Sequence, residues 1–343
     1  MPEHLTDRHR APAPHLLRWA AGALLCLGLA WLLYLGAVHT AAGQLLDTMM
    51  RLTAHGTEHP LPELDPENRW IALWVLAPPG VVLLTLLGSR RGRLRTVTAA
   101  AAAGLLLGAN LTTQLFKTLW AQRPPLLTDV APDWAANSLP SGHTTMAASA
   151  AAAVFLAALP RDRPFWAVPA ALWAGGWGGY IFVEGWHRPS DMATAYLVVA
   201  AWTAAAGWVV LQAEREAVSG QKSAGQTEPQ QKNTGVEKAA AAEEAELAAP
   251  LRDGRRRGGR SAGLCLTLGV LGTVLGTAFL LGPVIGGEGG LLEGLVRSAQ
   301  SPTPWLWLAG AAFSSAPAFL PAAAGVLAFS AASAGEHPHH ARR

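Results

Sequence analysis

Charge is scarce in this chain: only 14% of its 343 residues are Asp, Glu, Lys or Arg, against 51% hydrophobic residues and a positive mean hydropathy. Cysteine is scarcer still. Cys26 and Cys265 both lie inside apolar runs, which excludes a disulfide framework and a zinc site and leaves two buried thiols. No segment alternates polar and apolar residues as a strand would. That absence excludes a membrane β-barrel and leaves helices as the only spanning element. Nor does any polar segment carry the His, Cys, Asp and Glu spacing of a metal centre, so metal-independent chemistry without a cofactor is expected. The length alone would allow two soluble domains.

What the chain does have is uncharged runs of about 20 residues, each long enough to cross ~30 Å of hydrocarbon. Eight are visible: Trp19–Val38, Trp70–Gly88, Thr96–Phe116, Thr144–Leu159, Pro164–Val183, Met192–Gln212, Ser261–Gly287 and Trp305–Ala334. They predict an all-α, polytopic integral membrane protein. The first run exceeds the h-region of a signal peptide and is expected to be a retained helix. Between the sixth and seventh runs, residues 213–260 are rich in Gln, Lys, Glu, Ser and Gly and read as a disordered linker. This divides the chain into a six-helix unit (1–212), the linker (213–260), a two-helix appendage (261–335) and a short tail (336–343). "GTVLG" at 272–276 offers a small-residue face for helix packing. "HPHH" at 337–340 reads as a solvated tail.

Arginine sets the orientation. "SRRGRLR" at 89–95, "PRDRP" at 160–164 and "RDGRRRGGR" at 252–260 mark cytoplasmic segments, whereas 39–69 holds Arg51 and Arg69 against Glu58, Glu63, Asp65 and Glu67. Both termini are then cytoplasmic, and the segments 117–141, 184–191 and 288–304 face outward. The run at 252–260 reads as a stop-transfer or anionic-lipid contact, not as a nucleic-acid site.

On the outward face three polar clusters meet helix ends: "FKTLWAQRPP" with Lys117 and Arg123, "PSGH" with Ser141, Gly142 and His143, and "EGWHRPSD" with Glu184, His187, Arg188 and Asp191. Ionisable groups at membrane depth are costly and point to function. Taken singly, each has a plain structural reading. A Lys or Arg at a helix end snorkels to the headgroups, Ser-Gly-His is a turn and cap, and Glu184 is an interfacial carboxylate. Taken together they suit a phosphate ester or anhydride. Lys117 supplies a point charge and Arg123 a planar fork for phosphoryl oxygens. Ser141 and Gly142 open a helix whose free N–H groups and dipole attract an anion, with glycine allowing close approach. Pro189 suits the first position of the next helix, so Asp191 in its first turn can hold one nitrogen of His187. An imidazole fixed in this way is a nucleophile or base, and His143 remains to protonate a leaving alkoxide.

At these residues the sequence resembles the type 2 phosphatidic acid phosphatase superfamily, membrane branch, over about residues 15–212. That family carries Lys-x6-Arg-Pro, Pro-Ser-Gly-His and Ser-Arg-x5-His-x3-Asp. The second is intact at 140–143 and the His-x3-Asp of the third at 187–191. The resemblance implies a six-helix membrane fold and a phosphohistidine mechanism. His187 would be the nucleophile, Asp191 its orienting carboxylate and His143 the general acid, with Lys117, Arg123, Ser141 and Gly142 cradling the phosphate. Two departures stand out. Five residues, not six, separate Lys117 from Arg123, and Tyr180 and Ile181 occupy the Ser-Arg positions. Pro124 favours an extended Arg123, which lets that loop restore its aim.

The expected function is hydrolysis of lipid phosphates or diphosphates at the extracytoplasmic face of the plasma membrane, with a membrane lipid substrate and the bilayer as partners and no nucleic acid. Candidate substrates are polyprenyl phosphate or diphosphate, phosphatidic acid and phosphatidylglycerol phosphate. An Ala-, Gly- and Arg-rich composition points to a bacterium of high GC content and tilts the choice toward polyprenyl carriers. The missing arginine keeps a non-hydrolytic lipid-phosphate binder or transporter as the alternative, and a phosphotransferase with a non-water acceptor as another. Arg188, beside the proposed nucleophile, is the candidate replacement for that arginine. Arg188→Ala is expected to raise KM for the phosphate substrate sharply, and a change no larger than that of a distant surface arginine counts against the role.

Overall fold

The computed structural model describes residues 14–55, 70–119, 123–126, 138–225, 258–281 and 304–334. Most of the expected linker, the outward segment 288–303 and the "HPHH" tail lie outside the described residues. Within them the chain is helical and contains no strand. The helices are α1 (Pro14–His39), α2 (Ala41–His55), α3 (Trp70–Ser89), α4 (Gly92–Leu119), α5 (Gly142–Ala157), α6 (Arg163–Val183) and α7 (Pro189–Gly225), then α8 (Gly258–Leu281), α9 (Pro304–Ser315) and α10 (Phe319–Ala334). Among the described residues six stretches are long and apolar enough to cross a membrane: Leu16–His39, Ile71–Ser89, Gly92–Leu119, Pro189–Ala217, Gly258–Leu281 and Pro304–Ala331. Leu24, Leu25 and Leu32 of α1, Trp74 and Leu84 of α3, Leu107 and Leu111 of α4 and Val274 of α8 lie exposed along the shafts, as lipid-facing side chains do. The chain is an all-α, multi-pass membrane protein.

Four of the sequence expectations need correction. Residues 41–55, read as part of an outward loop, form the amphipathic helix α2. The fourth run, itself 16 residues long, forms a helix of the same length set two residues earlier, at Gly142–Ala157, short of a full span. α7 continues to Gly225, past the expected start of the linker, because Glu214 is drawn into an ion cluster. The eighth run breaks at the 3-10 turn Ala316–Ala318. There Pro317 has no N–H for Phe313 and its ring crowds the preceding turn.

The centre of the bundle is α5, packed against α3, α4, α6 and α7. A helix that is apolar all round belongs inside, and its alanines, serine and threonines let four neighbours approach closely. At ~1.5 Å per residue its 16 residues span only ~24 Å, so its last carbonyls end inside the protein. Two arginines meet them. Arg90 donates from Nε to Ala157 O at 2.9 Å and from Nη2 to Ala158 O at 2.6 Å, and Arg163 donates from Nη2 to Leu156 O at 3.3 Å. Glu214 offsets both charges, taking Arg90 Nη1 at 3.0 Å and Arg163 Nη2 at 2.7 Å. The Arg163 guanidinium also lies 4.1 Å from the ring centroid of Phe329 on α10.

The last two helices are packed into the six-helix unit. α9 lies against α2, α6 and α7, and α10 against α6 and α7. Glycines make the closest contacts: Phe182 of α6 fills the space a Gly310 side chain would take, and Gly175 and Gly179 face Ser315. Tyr196 of α7 donates its hydroxyl to Ala174 O at 3.1 Å and to Ser314 O at 2.8 Å, beside the helix break. In α8, a Cβ on Gly272 would meet Ala316 Cβ at 2.5 Å, and one on Gly276 would meet Phe313 and Ala312, so the small-residue face packs on the break. A Cβ on Gly178 would strike the Tyr196 hydroxyl and the Ser314 carbonyl, whereas Gly176 faces open space. Gly178→Ala should therefore destabilise by roughly 1–3 kcal/mol, and Gly176→Ala should stabilise by about 0.5–1 kcal/mol. Thermal unfolding in detergent checks both signs.

Candidate active site

At the end of the bundle opposite Glu214, the α5 and α7 N-termini abut. Ser141 caps α5: its backbone is extended and its Oγ accepts from Thr144 N at 3.3 Å. Its own N–H donates to Asp191 O at 3.0 Å, which ties the Pro-Ser-Gly-His corner to the first turn of α7. Asp191, fully buried, is the node. Its Oδ2 accepts from His187 Nδ1 at 2.9 Å, from Ser138 Oγ at 2.5 Å and from Arg188 N at 3.1 Å. The last bond is half of a capping box, an acidic residue in the first turn reaching back to the N–H of the residue before the helix. With Asp191 ionised, its bond to His187 requires Nδ1 to carry the proton, which puts the imidazole lone pair on Nε2.

The other candidates surround this pair. The His143 and His187 rings have centroids 6.5 Å apart, and Trp186 lies 5.5 Å from His143. Lys117, in the last turn of α4, brings Nζ to 3.9 Å from where a Gly142 Cβ would stand. Arg123 is buried and donates from Nη2 to Ala37 O at 3.2 Å. Arg188 is the largest fully buried side chain and donates from Nη1 to Ser138 Oγ at 2.9 Å. All eight residues proposed from the sequence thus converge on one end of the bundle. Glu184 stands at the C-cap of α6. Ile181, at the position of the expected arginine, is wholly buried among core side chains. Among the described residues no cluster of three or more His, Cys, Asp and Glu could hold a metal ion.

The sequence reading missed three polar residues of α2 and one of the strap before α5. Gln44, Asp47 and Arg51, spaced i, i+3 and i+7, share one face of α2. Gln44 Nε2 donates to Val38 O and to Pro124 O, both at 2.7 Å, joining the end of α1 to the segment after Arg123. Asp47 accepts from both the hydroxyl and the N–H of Ser190, an added cap on α7. Arg51 Nε donates to Gly185 O at 2.7 Å, in the turn between α6 and α7 where Gly185 adopts φ 67. Leu45 and Met49, on the other face, pack with Leu306 of α9. The missed signal was this amphipathic spacing. Ser138 is the fourth residue.

Residues 97–216 match the family model of the PAP2 superfamily. This stretch of the chain belongs to that superfamily. The PAP2 segment runs through α4, α5 and α6 into α7 and contains every residue proposed from the sequence, while α2 lies outside it. No curated protein and no solved structure matches the chain. PAP2 members are generally phosphatases acting on phosphate esters.

The field at the site is set by burial and by crowded charges. Burial pushes the Asp47 carboxyl up to about 6, with repulsion from Asp191 adding to it and the Ser190 hydrogen bond, Arg123 and Arg188 opposing it. Burial, then Arg188, pushes Arg123 down to about 10 against the pull of Asp47 and Asp191, so it stays cationic at neutral pH. Between the ordinary Asp value of 3.8 and about 6, the folded chain holds more protons at Asp47 than the unfolded chain. Folding stability from this group is therefore full below that window and is lost as pH rises through it. Asp47→Asn cannot ionise and escapes the loss, so its melting temperature relative to wild type should climb from pH 4 to pH 6 and then level off. A flat difference would mean that Asp47 ionises as an ordinary carboxylate.

Proposed function

We propose that the chain is a lipid-phosphate phosphatase working through a phosphohistidine at the extracytoplasmic face of the plasma membrane. The observation that carries this reading is the His187–Asp191 pair at 2.9 Å, opposed by His143 across a ring separation of 6.5 Å and flanked by Lys117 and Gly142. The substrate phosphate sits between the two imidazoles. Lys117 and Arg123 draw its oxygens, the α5 N-terminus at Ser141 and Gly142 donates to them, and the buried Arg188 adds charge from beneath. His187 Nε2 attacks phosphorus and a P–N bond forms as the P–O bond to the lipid breaks. His143 takes up a proton as the negatively charged phosphate arrives beside it and gives that proton to the departing oxygen. Water then attacks the phosphohistidine, passes a proton to His143 and releases orthophosphate. Asp191 stabilises the imidazolium character that His187 gains at each step.

The lipid character of the substrate rests on the setting. The site caps a bundle whose shafts expose leucine and tryptophan, so a substrate already in the bilayer reaches it by lateral diffusion. The arginines of "SRRGRLR" and "PRDRP" lie at the opposite end, which favours a cytoplasmic placement for that end and for both termini. Polyprenyl phosphates or diphosphates, phosphatidic acid and phosphatidylglycerol phosphate all present the required headgroup. Purified protein should release orthophosphate from at least one of these lipids, with inhibition by vanadate and persistence in EDTA. His187→Ala should lose at least about a thousandfold in kcat, the scale of removing a nucleophile. Binding of these lipids without turnover on any of them would favour the transporter reading.

A further inference from the structure

The arginine that the third signature places on α6 is replaced here by isoleucine, which brings no charge to the site. Ile181 is wholly buried in the main core, and its carbonyl accepts the Trp186 N–H at 3.1 Å. A second arginine approaches the same turn from a different direction. Arg51 descends from α2, half-buried, and its Nε bond to Gly185 O fixes the plane of the guanidinium two residues before His187. Its charge is felt by Arg123, and it feels Arg188 and Asp191 in turn.

We propose that Arg51 is a substrate-binding residue that contacts the phosphoryl group alongside Arg188, supplied by a helix outside the PAP2-matched segment. The inference rests on the phosphatase reading for its substrate but needs only the phosphate for its test. Charge supports it. Lys117, Arg123, Arg188 and Arg51 bring four cations, and Asp47 and Asp191 bring two carboxylates. Burial and the neighbouring Arg188 lower the proton affinity of Arg51, as they do for Arg123, so each of these cations gains from an anion among them. α2 is also held for the task. Leu45 and Met49 lock it onto Leu306 of α9, Asp47 pins it to Ser190 and Gln44 to Val38 and Pro124. An arginine on a helix fixed at these points is already oriented for a bidentate contact.

The test uses the full chain in detergent and inorganic phosphate as the probe, read by calorimetry and by phosphate-dependent thermal stabilisation, with kcat and KM measured in parallel on whichever lipid phosphate is turned over. Arg51→Ala should weaken phosphate binding about 10- to 100-fold and raise KM by a similar factor, with a smaller change in kcat. Arg51→Lys, which keeps the charge but not the fork, should recover part of that loss. Arg51→Gln, which keeps an N–H donor for Gly185 O, should not, and it serves in place of Arg51→Ala if the alanine variant does not fold. Phosphate binding within twofold of wild type in the alanine or glutamine variant overturns the proposal, even if the melting temperature falls. So does full recovery by glutamine, since either result makes Arg51 a tie to the turn and nothing more. If wild type binds phosphate in an Arg51-dependent way yet releases none from any lipid, the phosphatase reading falls and this proposal stands.

Discussion

One carboxylate oxygen organises the site. Asp191 Oδ2 takes an imidazole N–H, a serine hydroxyl and a backbone N–H, while the backbone carbonyl of the same residue takes the N–H of Ser141. A buried carboxylate is tolerated only when donors and countercharges surround it. Here the same groups that make Asp191 tolerable are those the chemistry needs. The compensation therefore sets the tautomer of His187, the start of α7 and the position of the α5 N-terminus in one arrangement. Loss of that oxygen would free three elements together.

α2 extends this logic outward. Its polar face reaches α1, the segment after Arg123, the start of α7 and the turn before His187, and its apolar face reaches α9. The last helices consequently brace a site that they do not line. Phe182 in the gap at Gly310 and Tyr196 on Ser314 carry the same bracing to α6 and α7, the latter less than two turns from Asp191. A bundle with glycine faces and few polar bonds gains its rigidity from such close approach.

Much of the site was legible because its chemistry is local. His187 and Asp191 meet through an i, i+4 relation at a helix start, and Ser141 caps the helix that it opens, so spacing alone set both geometries. What escaped depended on distant partners. Arg51 reads as a loop charge and Asp47 goes unremarked, because a search for uncharged runs is blind to a helix that is apolar on one side. Glu214 looked like linker because its partners, Arg90 and Arg163, lie 124 and 51 residues away. The end of α5 was hidden by Ala158 and Leu159, which are apolar but follow the helix. The break in the eighth run did have a local signal in Pro317, and the sequence reading passed over it in favour of hydropathy.

The brevity of α5 has a consequence for the surrounding lipid. A central helix of ~24 Å, closed at one end by two arginines and at the other by the Pro-Ser-Gly-His corner, sets polar groups inside the bundle nearer together than the ~30 Å of an ordinary hydrocarbon core. The helices that face lipid are long enough to cross an ordinary bilayer, so the mismatch is met inside the bundle, where water and headgroups can dip toward the ends of α5. On the proposed function, a lipid headgroup would have to descend along the bundle to the depth of His187 before its phosphate could react.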